Sequence, residues 1–137
     1  MHKIAVVVTR GSLNSLVQVV TFLMSATVAN AAVRVLFRDE AVLSVTVTGA
    51  RQLQLSYALR GREAAIRERL TQHAMHDLPA MLQTVKGHGD VQLAVCSSSM
   101  ALYGVTKAEL LPEIDQVQGL TAFVIDEIGT ADRVLTF

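Results

Sequence analysis

An unbroken apolar run near the start of the sequence, residues 4–9, is rich in β-branched side chains. Because both faces of such a strand are apolar, the run predicts a strand buried on both sides, as in a parallel sheet. A short turn follows, and its Ser12 is of the type that begins a helix by accepting a hydrogen bond from a backbone N–H. We predict that this helix extends to about Asn30. A second apolar run, residues 32–37, comes after almost no loop, so the three elements predict a right-handed βαβ unit.

The rest of the chain continues this alternation. Residues 39–47 are ambiguous, because their composition favours a strand while the alternation of elements favours a helix; we predict a helix. Residues 49–62 predict an irregular segment. Further helices are predicted over residues 63–70, from Asp77 to Gly87 or Gly89, and over residues 97–103, 107–111 and 119–128. Further strands are predicted over residues 91–95 and 133–137.

This pattern predicts a single α/β domain over residues 1–137, in outline a flavodoxin-like three-layer sandwich. Its sheet is expected to be mostly parallel, with four to five strands. Ligands of such sheets bind beyond the carboxyl ends of the strands, where the strand order reverses. If the second and third strands flank the first, that reversal places Gly11 and Ser12 beside Cys96.

Composition narrows the classes of partner. Hydrophobic residues make up 51% of the chain and charged residues 18%, so little polar surface is left over, and we expect a homo-oligomer. The formal net charge is zero, which argues against a nucleic-acid partner. Polar residues interrupt the apolar stretch 16–33, so we predict neither a signal peptide nor a membrane span. With a single cysteine, the chain has no internal disulfide, and we expect a cytoplasmic protein.

Cys96 is the strongest candidate for chemistry, because it ends a predicted strand and precedes a predicted helix that begins at Ser97. Unpaired N–H groups at a helix start favour the nucleophilic thiolate. The alternative interpretation is a small buried apolar side chain, since free cysteine is often buried. One cysteine cannot resolve its own oxidised form, but it can carry a group from one partner to another.

Two other features carry less chemical information. The Gly11–Ser12 turn offers N–H groups to an anion, but it lacks the glycine-rich nucleotide motifs, so we predict no cofactor there. His73 and His76 have the spacing of metal ligands on a helix, yet no third ligand is near them in the sequence. We interpret them as solvent-facing and predict no metal site.

The stretch from Cys96 to Gly104, CSSSMALYG, resembles the DsrE/DsrF-like family, especially its branch with a C-x-x-S-M-x-x-x-G pattern. The opening strand with residues 10–13, the Val117–Gly119 stretch and the closing residues 131–137 are similar to that branch too. The resemblance spans nearly the whole chain and is weakest over residues 49–76.

The resemblance implies a flavodoxin-like fold, assembly into trimers, tetramers or hexamers, and a cytoplasmic sulfur carrier or transferase without a cofactor. It implies a persulfide or thiosulfonate on Cys96 and, as partners, TusA-type carriers or rhodanese-like proteins. Substrate-binding roles are expected for five residues: Gly11, Ser12, Ser97, Ser99 and Met100. Two alternatives remain, namely a non-catalytic assembly module with a buried Cys96, and a thiol redox sensor that forms a sulfenic acid.

Overall fold

The apolar runs form buried parallel strands, as their composition predicts. The computed structural model describes residues 2–137 and contains a five-stranded, all-parallel sheet with the order β4-β3-β2-β1-β5. The strands are β1 (Lys3–Val8), β2 (Ala32–Phe37), β3 (Val91–Cys96), β4 (Gln116–Gln118) and β5 (Arg133–Thr136). The predicted flavodoxin-like α/β architecture is therefore confirmed.

Helices flank this sheet and fill the connections between its strands. The α-helices are α1 (Leu13–Val28), α2 (Ala41–Ser44), α3 (Glu63–Gln72), α4 (Leu78–His88), α5 (Ser97–Tyr103) and α6 (Leu120–Phe123), and α6 continues into a π-helical turn, Val124–Ile128. Ser12 caps α1 and Asp77 caps α4, each by accepting from a backbone N–H three residues on. Both caps were predicted from the sequence.

The two sides of the sheet are covered unequally. On one side, α1 and α4 pack on alternate strand residues such as Val6, Val35 and Leu93 to form the main core. On the other side, a small cluster is built from the intervening residues Ala5, Leu36, Ala94 and Cys96, with Phe123 of α6 packed among them. This second cluster is where Cys96 lies.

The strand order is not the one that would place Gly11 and Ser12 beside Cys96, because the second and third strands do not flank the first. β3 pairs with β2 and not with β1, because β1, β2, β3 and β4 follow one another across the sheet in chain order. β5 alone lies on the other side of β1. The edge strand β4 was not predicted, since it has only three residues and two of them, Gln116 and Gln118, are polar.

The segment 39–47, whose sequence is ambiguous between helix and strand, contains both a helical turn and a β-bridge. A single helical turn, α2, forms first, and Thr46 then makes an isolated antiparallel bridge with Leu110. The following residues are irregular, as predicted, with two 3₁₀ turns at Gly49–Arg51 and Tyr57–Leu59.

Between residues 2 and 137, no helix is both long and apolar enough to cross a membrane.

Two glycines allow a matched test of how backbone conformation affects stability. Gly104 ends α5 with φ of +68°, and a Cβ there would meet nothing within 4 Å, so a side chain costs only backbone strain. We expect Gly104→Ala to lower the free energy of unfolding by about 1 kcal/mol. Gly87 lies within α4 and is equally uncrowded. Gly87→Ala should instead raise this free energy by about 0.5 kcal/mol, and urea unfolding of both variants measures the difference.

Candidate functional site

Cys96 lies at the carboxyl end of β3, and its side chain is on the thinly covered side of the sheet. The residue is 0% exposed. Its Sγ is nevertheless only 3.2 Å from the hydroxyl oxygen of Ser98, which is an exposed residue in the first turn of α5. The buried thiol is thus in contact with a side chain whose residue is exposed to solvent.

Arg38 is the residue beside Cys96 that sequence reasoning missed. β2 and β3 pair in a register that aligns Phe37 with Val95, so the next positions are Arg38 and Cys96. The Arg38 N–H donates to the Val8 carbonyl at 2.8 Å, which continues the ladder one residue beyond β2. Because Phe37 faces the main core, Arg38 faces the opposite side, where Cys96 lies.

The surroundings of Cys96 favour its thiolate. Burial raises the pKa of the thiol, but hydrogen bonding outweighs burial and lowers the pKa from 9.0 to about 6. The Ser98 hydroxyl makes the largest favourable contribution, followed by the Ser99 backbone N–H, the Arg38 side chain and the Ser99 hydroxyl. At neutral pH the thiol is therefore mostly ionised and nucleophilic.

The turn after β2 is fastened to α5 by two hydrogen bonds. The Asp39 N–H donates to the buried Ser99 hydroxyl at 3.0 Å, and the Tyr103 hydroxyl donates to the Asp39 carboxylate. The bond to this carboxylate raises the pKa of Tyr103. Asp39 has φ of +52°, a conformation that aspartate tolerates better than most residues. These contacts hold the turn that carries Arg38 against Ser99, and both residues contribute hydrogen bonds to the thiol.

The predicted meeting of Gly11 and Ser12 with Cys96 is wrong. β2 lies between β1 and β3, so the ends of β1 and β3 are separated by about 10 Å. Gly11 and Ser12 instead line a separate cleft of about 670 Å³. A Cβ on Gly11 would come within 2.6 Å of the Ser44 hydroxyl, so glycine is needed there for close packing of the turn against α2.

Other predicted positions are distributed around the fold. Ser97 is exposed at the start of α5, whereas Met100 is buried in the main core and packs away from the Cys96 side chain. His73 and His76 are both exposed, as predicted. Across residues 2–137, no three side chains of His, Cys, Asp or Glu cluster as metal ligands would.

Comparisons with known proteins agree with this architecture. The model of the DsrE/DsrF-like family matches residues 2–137. Among solved structures, the fold is similar to that of MTH1491, a protein of unknown function from Methanobacterium thermoautotrophicum, with a TM-score of 0.66 and 11% identity. The match covers 98% of this chain and 99% of that one, and at this identity it supports the fold alone. No curated protein matches the sequence significantly.

The lowered pKa gives a direct prediction for the pH dependence of the thiolate. We expect the ultraviolet absorbance of the thiolate to rise with a midpoint near pH 6, because the folded protein stabilises the charged form. Absorbance does not require a reagent to reach the buried thiol. Cys96→Ser should show no such transition, and a midpoint near 9 in the native chain would contradict the assigned hydrogen bonds.

A pair of serine variants separates the hydrogen bond from general effects at the helix start. Ser98→Ala removes the largest favourable contribution, so the same absorbance midpoint should move upward by about one pH unit, roughly the effect of one hydrogen bond to a charged group. Ser97→Ala is the control, because Ser97 is equally exposed and is adjacent in α5. Equal midpoints for the two variants would rule out a specific role for Ser98.

Proposed function

The chain belongs to the DsrE/DsrF-like family, whose members are generally linked to sulfur metabolism, and on that premise we propose that it is a sulfur carrier acting through Cys96. The observation that supports this proposal is the set of hydrogen-bonding groups around the Cys96 thiol, from Ser98, Ser99 and Arg38, which lowers its pKa and favours the thiolate. A nucleophile of this kind holds a sulfane sulfur or thiosulfonate as a covalent intermediate and passes it to a partner.

Loading begins with attack of the Cys96 thiolate on a sulfur atom of a polysulfide or polythionate. A bond forms between Sγ and that sulfur, the sulfur–sulfur bond of the donor breaks, and the rest of the donor leaves with the electron pair. The Cys96 sulfur is oxidised and the leaving sulfur is reduced, so no further oxidant is needed. No general base is required either, because the thiol is already ionised at neutral pH.

Unloading, the transfer of sulfur from Cys96 to an acceptor, also depends on the lowered pKa of the Cys96 thiol. The thiolate of an acceptor protein attacks the outer sulfur of the Cys96 persulfide, and the bond between Sγ and that sulfur breaks. Cys96 then departs as a thiolate, and a thiol with a lowered pKa is a better leaving group than an ordinary cysteine. The hydrogen bonds that favour the thiolate therefore assist both loading and release.

Access to the buried thiol is proposed to run past Ser98. This side chain is exposed and contacts Sγ directly, and exposed side chains change rotamer on the picosecond to nanosecond timescale. Rotation of one hydroxyl thus opens a path without movement of the sheet. A larger acceptor requires displacement of the α6 segment as well, since Leu120 and Phe123 pack against the cluster that contains Cys96.

For partners, we propose a TusA-type carrier or a rhodanese-like protein in the cytoplasm, and a homo-oligomeric carrier. Association is supported by large apolar side chains exposed in the single chain. These are Val28, Leu43, Val47, Leu102, Val124, Ile125 and Val134, together with Tyr57. Such side chains gain stability when another protein surface covers them.

A second candidate function is favoured by the burial of Cys96. With the residue 0% exposed, it also fits a small apolar side chain in an assembly module that performs no sulfur chemistry. The two functions differ in one property, namely whether Sγ accepts a sulfur atom from a donor in the folded protein. A peroxide sensor differs from both, because its thiol reacts with peroxide to form a sulfenic acid.

The test is intact-mass measurement of the folded chain after incubation with polysulfide, thiosulfate, tetrathionate or hydrogen peroxide. The carrier proposal predicts a reducible mass increase of one sulfur or one thiosulfonate group in the native chain. Cys96→Ser is the control and should gain nothing. Native mass spectrometry of the same samples reports the oligomeric state.

Each other outcome supports a different function. If no sulfur donor produces an adduct and Cys96 also resists alkylation in folded protein, the carrier proposal is overturned and the assembly module is the better account. If only peroxide reacts, the sensor is favoured. The pH dependence of loading should follow the thiolate, rising through about pH 6 and then reaching a plateau.

A further inference from the structure

No carboxylate of the described residues pairs with Arg38, and the charged group beside its side chain is the Cys96 thiolate. Arg34, two pleats earlier on the same side of β2, forms an ion pair with Asp90 at 2.9 Å. Lys3 and Lys86 are likewise paired with carboxylates. Within residues 2–137, Arg38 has no such partner, and its Nε is buried without a hydrogen bond. A buried, unpaired donor is costly, so its retention calls for an explanation.

From this geometry, we infer that Arg38 binds the sulfonate group of a thiosulfonate carried on Cys96 and thereby selects oxygen-bearing sulfur donors. The inference rests on the proposed carrier function and specifies its cargo. It follows from the register of β2 and β3, which places Arg38 next to Cys96 on the same side of the sheet.

The chemistry of the guanidinium favours binding of an oxyanion over binding of a sulfur group that has no oxygens. Its planar N–H groups form two parallel hydrogen bonds with paired oxygens, as in carboxylate and phosphate recognition, and a sulfonate offers the same oxygen geometry. Before loading, the Cys96 thiolate is the counter-charge of Arg38. After loading, Sγ is neutral and the negative charge lies on the sulfonate, so the unpaired Nε acquires an acceptor.

Tetrathionate illustrates the balance of this step. The Cys96 thiolate attacks one of the two central sulfurs, the central sulfur–sulfur bond breaks, and thiosulfate leaves with the electron pair. The product is Sγ bonded to sulfur and then to a sulfonate, with one negative charge on the protein-bound group and two on thiosulfate. The three charges of the reactants are thus conserved. Arg38 is then positioned to bind the protein-bound sulfonate.

The experiment compares the rate of loading by two anionic donors, tetrathionate with sulfonate oxygens and polysulfide without oxygens, followed by intact mass. Arg38→Lys keeps the charge but removes the two-pronged donor. We expect it to slow loading by tetrathionate about tenfold, the effect of losing one charged hydrogen bond, while polysulfide loading changes by less than about twofold. Arg34→Lys is the matched control and should leave both rates unchanged. Arg38→Gln should slow both donors, and tetrathionate more.

The outcomes separate this inference from the function on which it rests. If the native chain loads both donors and Arg38→Lys changes their ratio no more than Arg34→Lys does, sulfonate recognition by Arg38 is overturned and the carrier stands. If the native chain does not load tetrathionate, the inference is overturned; if it loads no sulfur donor and Cys96 also resists alkylation, the carrier proposal is overturned as well. Circular dichroism shows whether each variant is folded. If Arg38→Lys is not folded, the ratio of the tetrathionate and polysulfide loading rates in Arg38→Gln replaces the ratio in Arg38→Lys as the test.

Discussion

The candidate site depends on the parallel pairing of β2 with β3. This pairing aligns Phe37 with Val95, and it therefore puts Arg38 next to Cys96 at the carboxyl edge of the sheet. The hydrogen bond from Asp39 to Ser99 and the one from Tyr103 to Asp39 then fasten the turn after β2 to α5. A cation and a thiol that are far apart in sequence are held together by backbone hydrogen bonds, which leave their side chains free for chemistry.

Burial and hydrogen bonding shift the pKa of Cys96 in opposite directions. Removal from water disfavours a thiolate, yet four hydrogen-bonding contributions from three neighbouring residues more than offset this cost. A thiolate of this kind is protected from most of the solvent and is still nucleophilic. For the proposed sulfur carrier, this burial limits the access of water and unrelated thiols to the group that Cys96 holds between two encounters.

Much of the fold could be predicted from the sequence, because β1, β2 and β3 are long apolar runs and the caps of α1 and α4 have characteristic side chains. The order of strands could not, since every pairing of buried parallel strands satisfies the same apolar pattern. That missing order explains both failures at the site. Gly11 and Ser12 were expected beside Cys96, and Arg38 was overlooked because an arginine after a strand is unremarkable until its neighbour is known.

The unequal covering of the sheet has a consequence for local stability. The main core under α1 and α4 contains most of the buried apolar side chains, whereas the second cluster relies largely on Phe123 of the short helix α6. Segments with few buried contacts open at a lower free energy than the core of the same protein. Amide exchange in α6 is thus expected to proceed by sub-global opening, so the side of the sheet that bears Cys96 opens while the other side keeps the domain folded.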